Sequence, residues 1–214
     1  MSNLKLDILV NKDNPISSKY KPNDLVVLDE NENNFHNYNN SSLKPTISNQ
    51  IYLPYKELEE ASIKDGYHRI VDSGYRSYNY QRQVFIYFLK NNLKERIITK
   101  NIDNIFDSAY DEVCARVALP GCSEHQTGYA FDAANYVDGI YNEVLGEEEI
   151  AWLNYNAYKY GFILRYPKGK EEITGFIYEP WHYRYVGKDI SNILYNNGNW
   201  ITLEEYHQKL IRKK

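Results

Sequence analysis

The sequence is poor in cysteine and has no excess of positive charge. Its 214 residues include only Cys114 and Cys122, too few for a disulfide scaffold and not in the C-x-x-C spacing of a metal site. We expect two small buried hydrophobic side chains, with a Cys114–Cys122 disulfide as the alternative in an exported protein. With 25 basic and 29 acidic residues the net charge is -4, which argues against binding to nucleic acid.

Long apolar runs are also missing. No stretch approaches the roughly 20 apolar residues that span a bilayer, and the opening MSNLKLDILV lacks the basic region and apolar run of a signal peptide. We therefore expect no membrane contact by this chain itself. Neither a linker nor an internal repeat divides the sequence, which predicts a single domain over 1–214 with an irregular N-terminal arm at about 1–50.

The hydrophobic pattern predicts an α+β fold, in which helices pack on a mostly antiparallel sheet. The predicted elements are a loop over Glu30–Ser42, a helix that ends at Gly66, a strand over His68–Gly74, helices around 80–88 and 105–117, a strand over Tyr129–Ala134, a helix from 147 to a stop at Gly161, strands over Phe162–Arg165 and Gly175–Val186 that pair across the loop between them, and a last helix that begins at the capping box Thr202–Glu205.

Two of the five histidines lie in polar segments that suit a metal site. The segment SEHQTGYAFD places His125 in a loop and Asp132 seven residues later in an apolar strand, and Gly128 allows the turn between them. Burying a carboxylate in such a strand is costly unless a cation lies nearby. These two residues are therefore candidate metal ligands. The remaining histidines lack such neighbours, and we expect structural roles for them: His36, His68 and His207.

The segment Glu179-Pro-Trp-His182 offers the rest of a hydrolytic zinc site. Such a site has three protein ligands, one position open to water, and a nearby base that does not bind the metal. If His182 is the third ligand and lies on a strand, Glu179 is turned by Pro180 towards the water. The sequence thus suits water activation rather than a closed structural zinc site.

Four motifs in this order resemble a known enzyme family. SGYRS at 73–77, Gln81, S-x-H-x-x-G-x-A-x-D at 123–132 and EPWHYRYVG at 179–187 are similar to the VanY-type zinc D-alanyl-D-alanine carboxypeptidases and their LdcB-type L,D-carboxypeptidase relatives. The segments LVNKDNP, YKPNDLV and YGFILRYPKGKEEITG extend the resemblance, which then runs from Leu9 to Gly187.

The resemblance implies a metal site and a base. One Zn²⁺ would be held by His125, Asp132 and His182, a mixed N/O ligand set that suits zinc. Glu179 would be the general base, which takes a proton from the water and passes it to the departing amine.

The resemblance also implies contacts with the substrate. Arg76, Gln81 and Ser123 match positions that contact the peptide, and Trp181 would line the pocket. The guanidinium of Arg76 would either bind a carboxylate or stabilise the oxyanion at the scissile carbonyl, and the sequence leaves both roles open. We assign no role to the strand residues 183–185, which are expected to alternate between core and solvent.

The function that the resemblance implies is removal of the C-terminal D-alanine from a peptidoglycan stem peptide or precursor. Four alternatives share the motifs or the zinc: an L,D-carboxypeptidase acting on tetrapeptide stems, a D-Ala-D-Ala dipeptidase, a phage-type endopeptidase, and a non-catalytic wall-binding module. The last is disfavoured by Glu179, because a structural zinc site needs no base. The substrate places the expected protein in the bacterial cell envelope outside the membrane, with cytoplasmic action on precursors as the alternative.

Overall fold

The fold is described by a computed structural model, which covers residues 4–28, 44–67, 69–99, 104–137, 140–142 and 145–212. The predicted α+β class is confirmed. The helices are α1 (Asn49–Lys64), α2 (Tyr78–Ile98), α3 (Ile105–Cys114), α4 (Glu147–Asn156), α5 (Glu171–Thr174), α6 (Lys188–Tyr195) and α7 (Leu203–Arg212). The strands are β1 (Leu25–Val27), β2 (Thr46–Ser48), β3 (Arg69–Ser73), β4 (Ala130–Val137), β5 (Ile140–Asn142), β6 (Phe162–Leu164) and β7 (His182–Tyr185).

The main sheet is antiparallel and brings three of the four motifs together. Its order is β3-β4-β7-β6, and β5 pairs with β4. Strand β4 therefore lies between the strand of the SGYRS motif and the strand that begins at His182. Asp132 is the register partner of His182 on one side and of Ser73 on the other, next to an irregularity in β3. Strands β1 and β2 form a separate two-stranded sheet.

The two faces of the main sheet carry different chemistry, because successive side chains of a strand point to opposite faces. Phe131, Ala133 and Tyr183 are buried in the main hydrophobic core, whereas Asp132 and His182 face the other way. The side chains of α1, α4 and α6 that pack into this core include Ile51, Tyr55, Leu58, Leu153 and Leu194.

Helices α2 and α3 have a small core of their own, formed by Val84, Phe85, Val113 and Val117. This core is distinct from the cluster that the sheet shares with α1. The pair of helices thus forms one wall, and the polar face of the sheet forms the other.

Two predicted helix boundaries are confirmed by the caps that the structure shows. Helix α1 ends at Lys64, and Gly66 follows with a φ of 91°, a conformation that glycine adopts without strain. At the start of α7, Glu205 N donates to Thr202 Oγ1 at 3.1 Å, and Thr202 N donates to Glu205 Oε2 at 2.8 Å. This reciprocal pair is the predicted capping box.

The predicted strand over Gly175–Val186 is wrong in its first half. The strand covers only His182–Tyr185, although its predicted pairing with β6 is confirmed. Before it, Ile177 N donates to Ala115 O and Glu179 N donates to Tyr166 O, so these amides bond to other parts of the chain. Pro180 has no N–H to offer a ladder.

Three further predictions concern single residues. His207 Nε2 lies 2.6 Å from the Asp7 carbonyl, which fits a structural role. Cys122 is buried, Cys114 is half-buried, and both are free thiols. The loop Glu30–Ser42, with His36, and the residue His68 lie outside the described residues. Within the described part of the chain, no helix combines the length and apolar character needed to cross a membrane.

Candidate metal centre

His125 is fixed by a short 3₁₀ helix and by the turn that follows β3. The 3₁₀ helix covers Glu124–Thr127 and ends at Gly128, whose φ is 75°. His125 Nδ1 lies 2.7 Å from the Gly74 carbonyl, which can only accept, so Nδ1 donates and Nε2 keeps its lone pair. A Cβ at Gly74 would collide with the Thr46 carbonyl oxygen, so glycine is what lets strand β2 lie so close to this turn.

Asp132 lies between the two histidines. Its Oδ2 is 3.2 Å from His125 Nε2, and its Oδ1 is 3.0 Å from His182 Nδ1. One ligand atom from each residue can be chosen so that all three lie within 4.8 Å of one another. His125 Nε2 is buried and makes no hydrogen bond within the described residues. Two nitrogens, one of which is orphaned, and one carboxylate oxygen fit a zinc ion.

The charges of these three side chains are set by burial and by each other. Burial, with the nearby Arg76 guanidinium, lowers the pKa of His125 to about 4. Burial alone would lower the pKa of His182, but the hydrogen bond to Asp132 and the nearby Glu124 carboxylate raise it to about 9. Burial would likewise raise the pKa of Asp132, but His125 and His182 hold it well below its ordinary value. Asp132 is therefore an ionised, desolvated carboxylate, which attracts a cation.

Glu179 lies beside this cluster without being part of it. Its backbone is held on both sides, because Glu179 N donates to Tyr166 O and His182 N donates to Glu179 O, each at 3.2 Å. The carboxylate oxygen Oε2 is 3.9 Å from His182 Nδ1. Burial raises the pKa of Glu179 to about 8, which is close to the working pH that a general base requires.

Arg76 and Gln81 come from the start of α2. Arg76 precedes the N-cap Ser77, and its Nη2 lies 3.3 Å from Asp132 Oδ2. Its backbone N donates to His125 O. Gln81 is 1% exposed, and its Nε2 donates to the Ala118 carbonyl at 2.7 Å. Gln81 Oε1 has no hydrogen-bond partner among the described residues, so it can accept a hydrogen bond from a ligand in the site.

All the predicted site residues line one cavity of about 260 Å³ between the sheet, helix α2 and the segment that follows α3. Ser123 is buried in its wall, and Trp181 is 37% exposed at it. The lining residues that sequence reasoning missed include Arg116, Tyr166 and Phe176. The rings of Tyr166 and Phe176 stack at 4.5 Å, so they form an aromatic wall. No sequence signal singled out Arg116.

Sequence reasoning also missed a group of buried charges behind His182. Glu124, Arg165, Arg184 and Glu204, here called the buried charge cluster, form ion pairs with one another. The expectation that residues 183–185 alternate between core and solvent is wrong for Arg184, which is fully buried. The sequence did contain a signal for this burial. An arginine in an apolar strand indicates a buried partner of opposite charge, just as Asp132 in its strand indicates a nearby cation.

Comparison with known proteins identifies the family. The family model described as VanY, D-alanyl-D-alanine carboxypeptidase, matches residues 44–188. The chain belongs to this family. The YodJ protein of Bacillus subtilis (strain 168) is 39% identical over 204 residues, which cover 94% of this chain and 67% of YodJ. The D-alanyl-D-alanine carboxypeptidase of Enterococcus faecalis (strain ATCC 700802 / V583) is 36% identical over 200 residues, covering 93% of this chain and 64% of that protein.

Solved structures of this VanY family share the fold. A variant of the vancomycin resistance D,D-pentapeptidase VanY from a VanB-type cassette, in complex with Zn(II), matches with a TM-score of 0.73 and 36% identity over 94% of this chain and 98% of that one. The LdcB LD-carboxypeptidase matches with a TM-score of 0.71 and 36% identity over 94% of this chain and 85% of that one. The chain spans about two thirds of the length of the two curated relatives.

Proposed function

We propose that this VanY-family chain is a zinc carboxypeptidase that removes the C-terminal D-alanine from peptidoglycan stem peptides. One observation carries the proposal: the ligand atoms of His125, Asp132 and His182 converge within 4.8 Å, and the buried carboxylate of Glu179 lies beside them. The relatives named for D-alanyl-D-alanine carboxypeptidase activity support the choice of substrate.

The metal would be held by His125 Nε2, Asp132 and His182 Nδ1, the atoms that face one another. Bound zinc supplies Lewis-acid polarisation of the attacking water and of the scissile carbonyl. The hydrogen bond from His125 Nδ1 to Gly74 holds the imidazole in the tautomer that ligates through Nε2.

Glu179 is the proton carrier. It accepts a proton from the attacking water and then donates it to the amine of the departing D-alanine. Its buried position makes the carboxylate a stronger base than an exposed glutamate, since burial raises its pKa. The turn through Pro180 keeps its carboxylate oxygen 3.9 Å from His182 Nδ1, close to the site and outside the ligand set.

Arg76 and Gln81 bind the end of the peptide. Only one contact of the Arg76 guanidinium goes to Asp132, so its other N–H groups are directed to the C-terminal carboxylate and the neighbouring carbonyl oxygen. The orphaned Gln81 Oε1 accepts an N–H of the peptide. Ser123 and Trp181 contribute to the walls of the same cavity. Because stem peptides of the mature wall lie outside the membrane, we assign the activity to the cell envelope.

L,D-carboxypeptidase activity is the second candidate, and one observation favours it. The LdcB LD-carboxypeptidase is as similar to this chain in sequence as the VanY pentapeptidase, at 36% identity each. The two activities share the metal and the base, so they differ in how the wall formed by α2 and α3 receives the peptide.

Mass spectrometry of defined muropeptides tests the proposal. The zinc-loaded chain is incubated with a pentapeptide stem that ends in D-Ala-D-Ala and with a tetrapeptide stem that ends in one D-Ala. We expect loss of one alanine from the pentapeptide, abolished by a chelator. Loss only from the tetrapeptide would move the assignment to L,D-carboxypeptidase, and no loss from either would overturn the carboxypeptidase assignment.

A further inference from the structure

The buried charge cluster meets the proposed metal site between Glu124 and His182. Glu124 Oε1 lies 2.8 Å from Arg165 Nε and 2.9 Å from Arg184 Nη1. Arg165 in turn donates to both oxygens of Glu204, at 2.9 and 2.7 Å. The side chains of Glu124, Arg165 and Arg184 are 0% exposed. Two carboxylates and two guanidiniums thus balance their charges inside the protein.

The two oxygens of Glu124 have different surroundings. Both guanidiniums approach Oε1, which leaves Oε2 buried and without a hydrogen-bond partner among the described residues. His182 Nε2 is also buried and without such a partner. These two orphaned atoms lie 3.7 Å from each other. They are an acceptor and a ring nitrogen that lie near each other, just beyond hydrogen-bond distance.

That contact decides which nitrogen of His182 is free to bind a metal. A neutral imidazole carries one proton, on either Nδ1 or Nε2. His182 Nδ1 is the nitrogen that faces Asp132, at 3.0 Å. When Nδ1 ligates a metal, the ring proton must lie on Nε2, where Glu124 Oε2 is the nearby acceptor.

We propose that Glu124 is a positioning residue that holds His182 in the tautomer competent to bind zinc. The inference rests on the proposed function, because it assigns His182 to the zinc site. Arg165 and Arg184 fix the carboxylate by its other oxygen, so that Oε2 stays directed at His182 Nε2. A carboxylate or carbonyl that accepts from the distal nitrogen of a ligating histidine orients the ring and raises its basicity.

The buried charge cluster makes Glu124→Gln a sharp test, because the arginines determine which way the oxygen and the NH₂ group of the new amide point. The amide oxygen is required where Arg165 Nε donates and the Arg184 guanidinium lies 2.9 Å away, so the NH₂ group faces His182 Nε2. A donor in that position favours a bare Nε2 and moves the ring proton to Nδ1, where it blocks the metal. Glu204→Gln is the matched control, since it removes one charge from the same cluster on the side away from His182.

The experiment measures zinc affinity by competition with a chromogenic chelator in the unchanged chain and both variants, with folding checked by circular dichroism. We expect Glu124→Gln to lose about 10- to 100-fold in affinity and Glu204→Gln to stay within about threefold. The ¹⁵N shifts of the His182 ring in the metal-free proteins should show a loss of Nε2–H in Glu124→Gln only. Equal losses in both variants, or none in Glu124→Gln, would overturn the inference.

A second variant covers the case in which Glu124→Gln does not fold. Glu124→Asp keeps the charge, but its side chain is one methylene shorter, so the carboxylate lies farther from His182 Nε2. We therefore expect an intermediate loss of zinc affinity. Unchanged affinity in this variant would overturn the inference. Tight zinc binding by the unchanged chain without cleavage of any muropeptide would overturn the proposed function and leave the role of Glu124 in zinc binding intact. Failure of the unchanged chain to bind zinc would overturn both.

Discussion

Asp132 and His182 are register partners on β4 and β7, and Asp132 Oδ1 lies 3.0 Å from His182 Nδ1. Two of the three proposed metal ligands are therefore placed by backbone pairing. Their relative position changes only if the pairing of β4 with β7 changes. The third, His125, is tied by its ring to the Gly74 carbonyl at the end of β3. All three ligands thus depend on neighbouring strands, so the site is preformed before a metal arrives.

Replacing the base should separate catalysis from metal binding. Glu179→Gln removes the proton acceptor and keeps the size of the side chain, so we expect kcat to fall by roughly 10²- to 10⁴-fold with zinc still bound. Turnover of the pentapeptide stem and the zinc content of the purified protein check both parts. The exposed Glu172→Gln is the control. A Glu179→Gln variant with near-normal turnover would disprove the assigned base.

Replacing a ligand should abolish metal binding and catalysis together. His125→Ala removes the nitrogen that is oriented by Gly74, and we expect the stabilisation by zinc to disappear along with activity. The unfolding temperature, measured with zinc and with chelator, reports the stabilisation. His207→Ala is the matched histidine control, since His207 bonds to the Asp7 carbonyl away from the site. Zinc stabilisation that survives in His125→Ala would contradict the ligand set.

The stabilisation by zinc should increase with pH, while the metal-free protein loses stability. In the metal-free protein the pKa of His182 is raised from 6.5 to about 9, so its stabilising protonation is complete below pH 6.5 and is lost as the pH rises through 9. The pKa of Glu179 is raised from 4.5 to about 8, which adds to the loss of stability up to that pH. Zinc binding displaces the proton from His182, so zinc affinity increases with pH.

The measurement is the unfolding temperature between pH 6.5 and 9, with zinc and with a chelator. We expect the chelated protein to become less stable as the pH rises and the gap between the two conditions to widen. A gap that narrows over this range would show that the protonation of His182 does not compete with the metal.

Arg76 should matter most for substrates with a free carboxylate. Arg76→Gln removes the guanidinium beside Asp132, and the loss of one such donor costs about 10²- to 10³-fold in kcat. We expect a larger loss of kcat/KM on the pentapeptide than on its C-terminal amide. The control is Arg82→Gln, one turn along α2 and exposed. Similar activity of the unchanged chain on both substrates would contradict exopeptidase action.

The sequence predicted the members of the site better than the strands around it. His125, Asp132, His182 and Glu179 stand in short motifs whose residue types are dictated by chemistry, and the structure brings all four together. Their individual roles stay predictions. The segment before His182 was predicted as strand because it is apolar and aromatic, but its amides bond to Ala115 and other carbonyls far along the chain. Such partners are invisible to a local pattern.

The charges behind the site show a second limit of the sequence. Arg165 follows β6 and Arg184 lies in β7, and a strand pattern alone cannot tell a solvated arginine from a buried one. Their partners Glu124 and Glu204 are 41 and 39 residues away from Arg165. Only the antiparallel pairing of β6 with β7 brings both arginines onto one side of Glu124.

The separate core of α2 and α3 means that this protein is built from two parts that can change at different rates. Val84, Phe85, Val113 and Val117 support the helical wall without help from the main core. Substitutions on that wall can therefore reshape the space for the peptide while the metal-binding sheet stays as it is. Substitutions near α2 and α3 could thus change the position of cleavage along the stem peptide while the residues of the metal site stay the same.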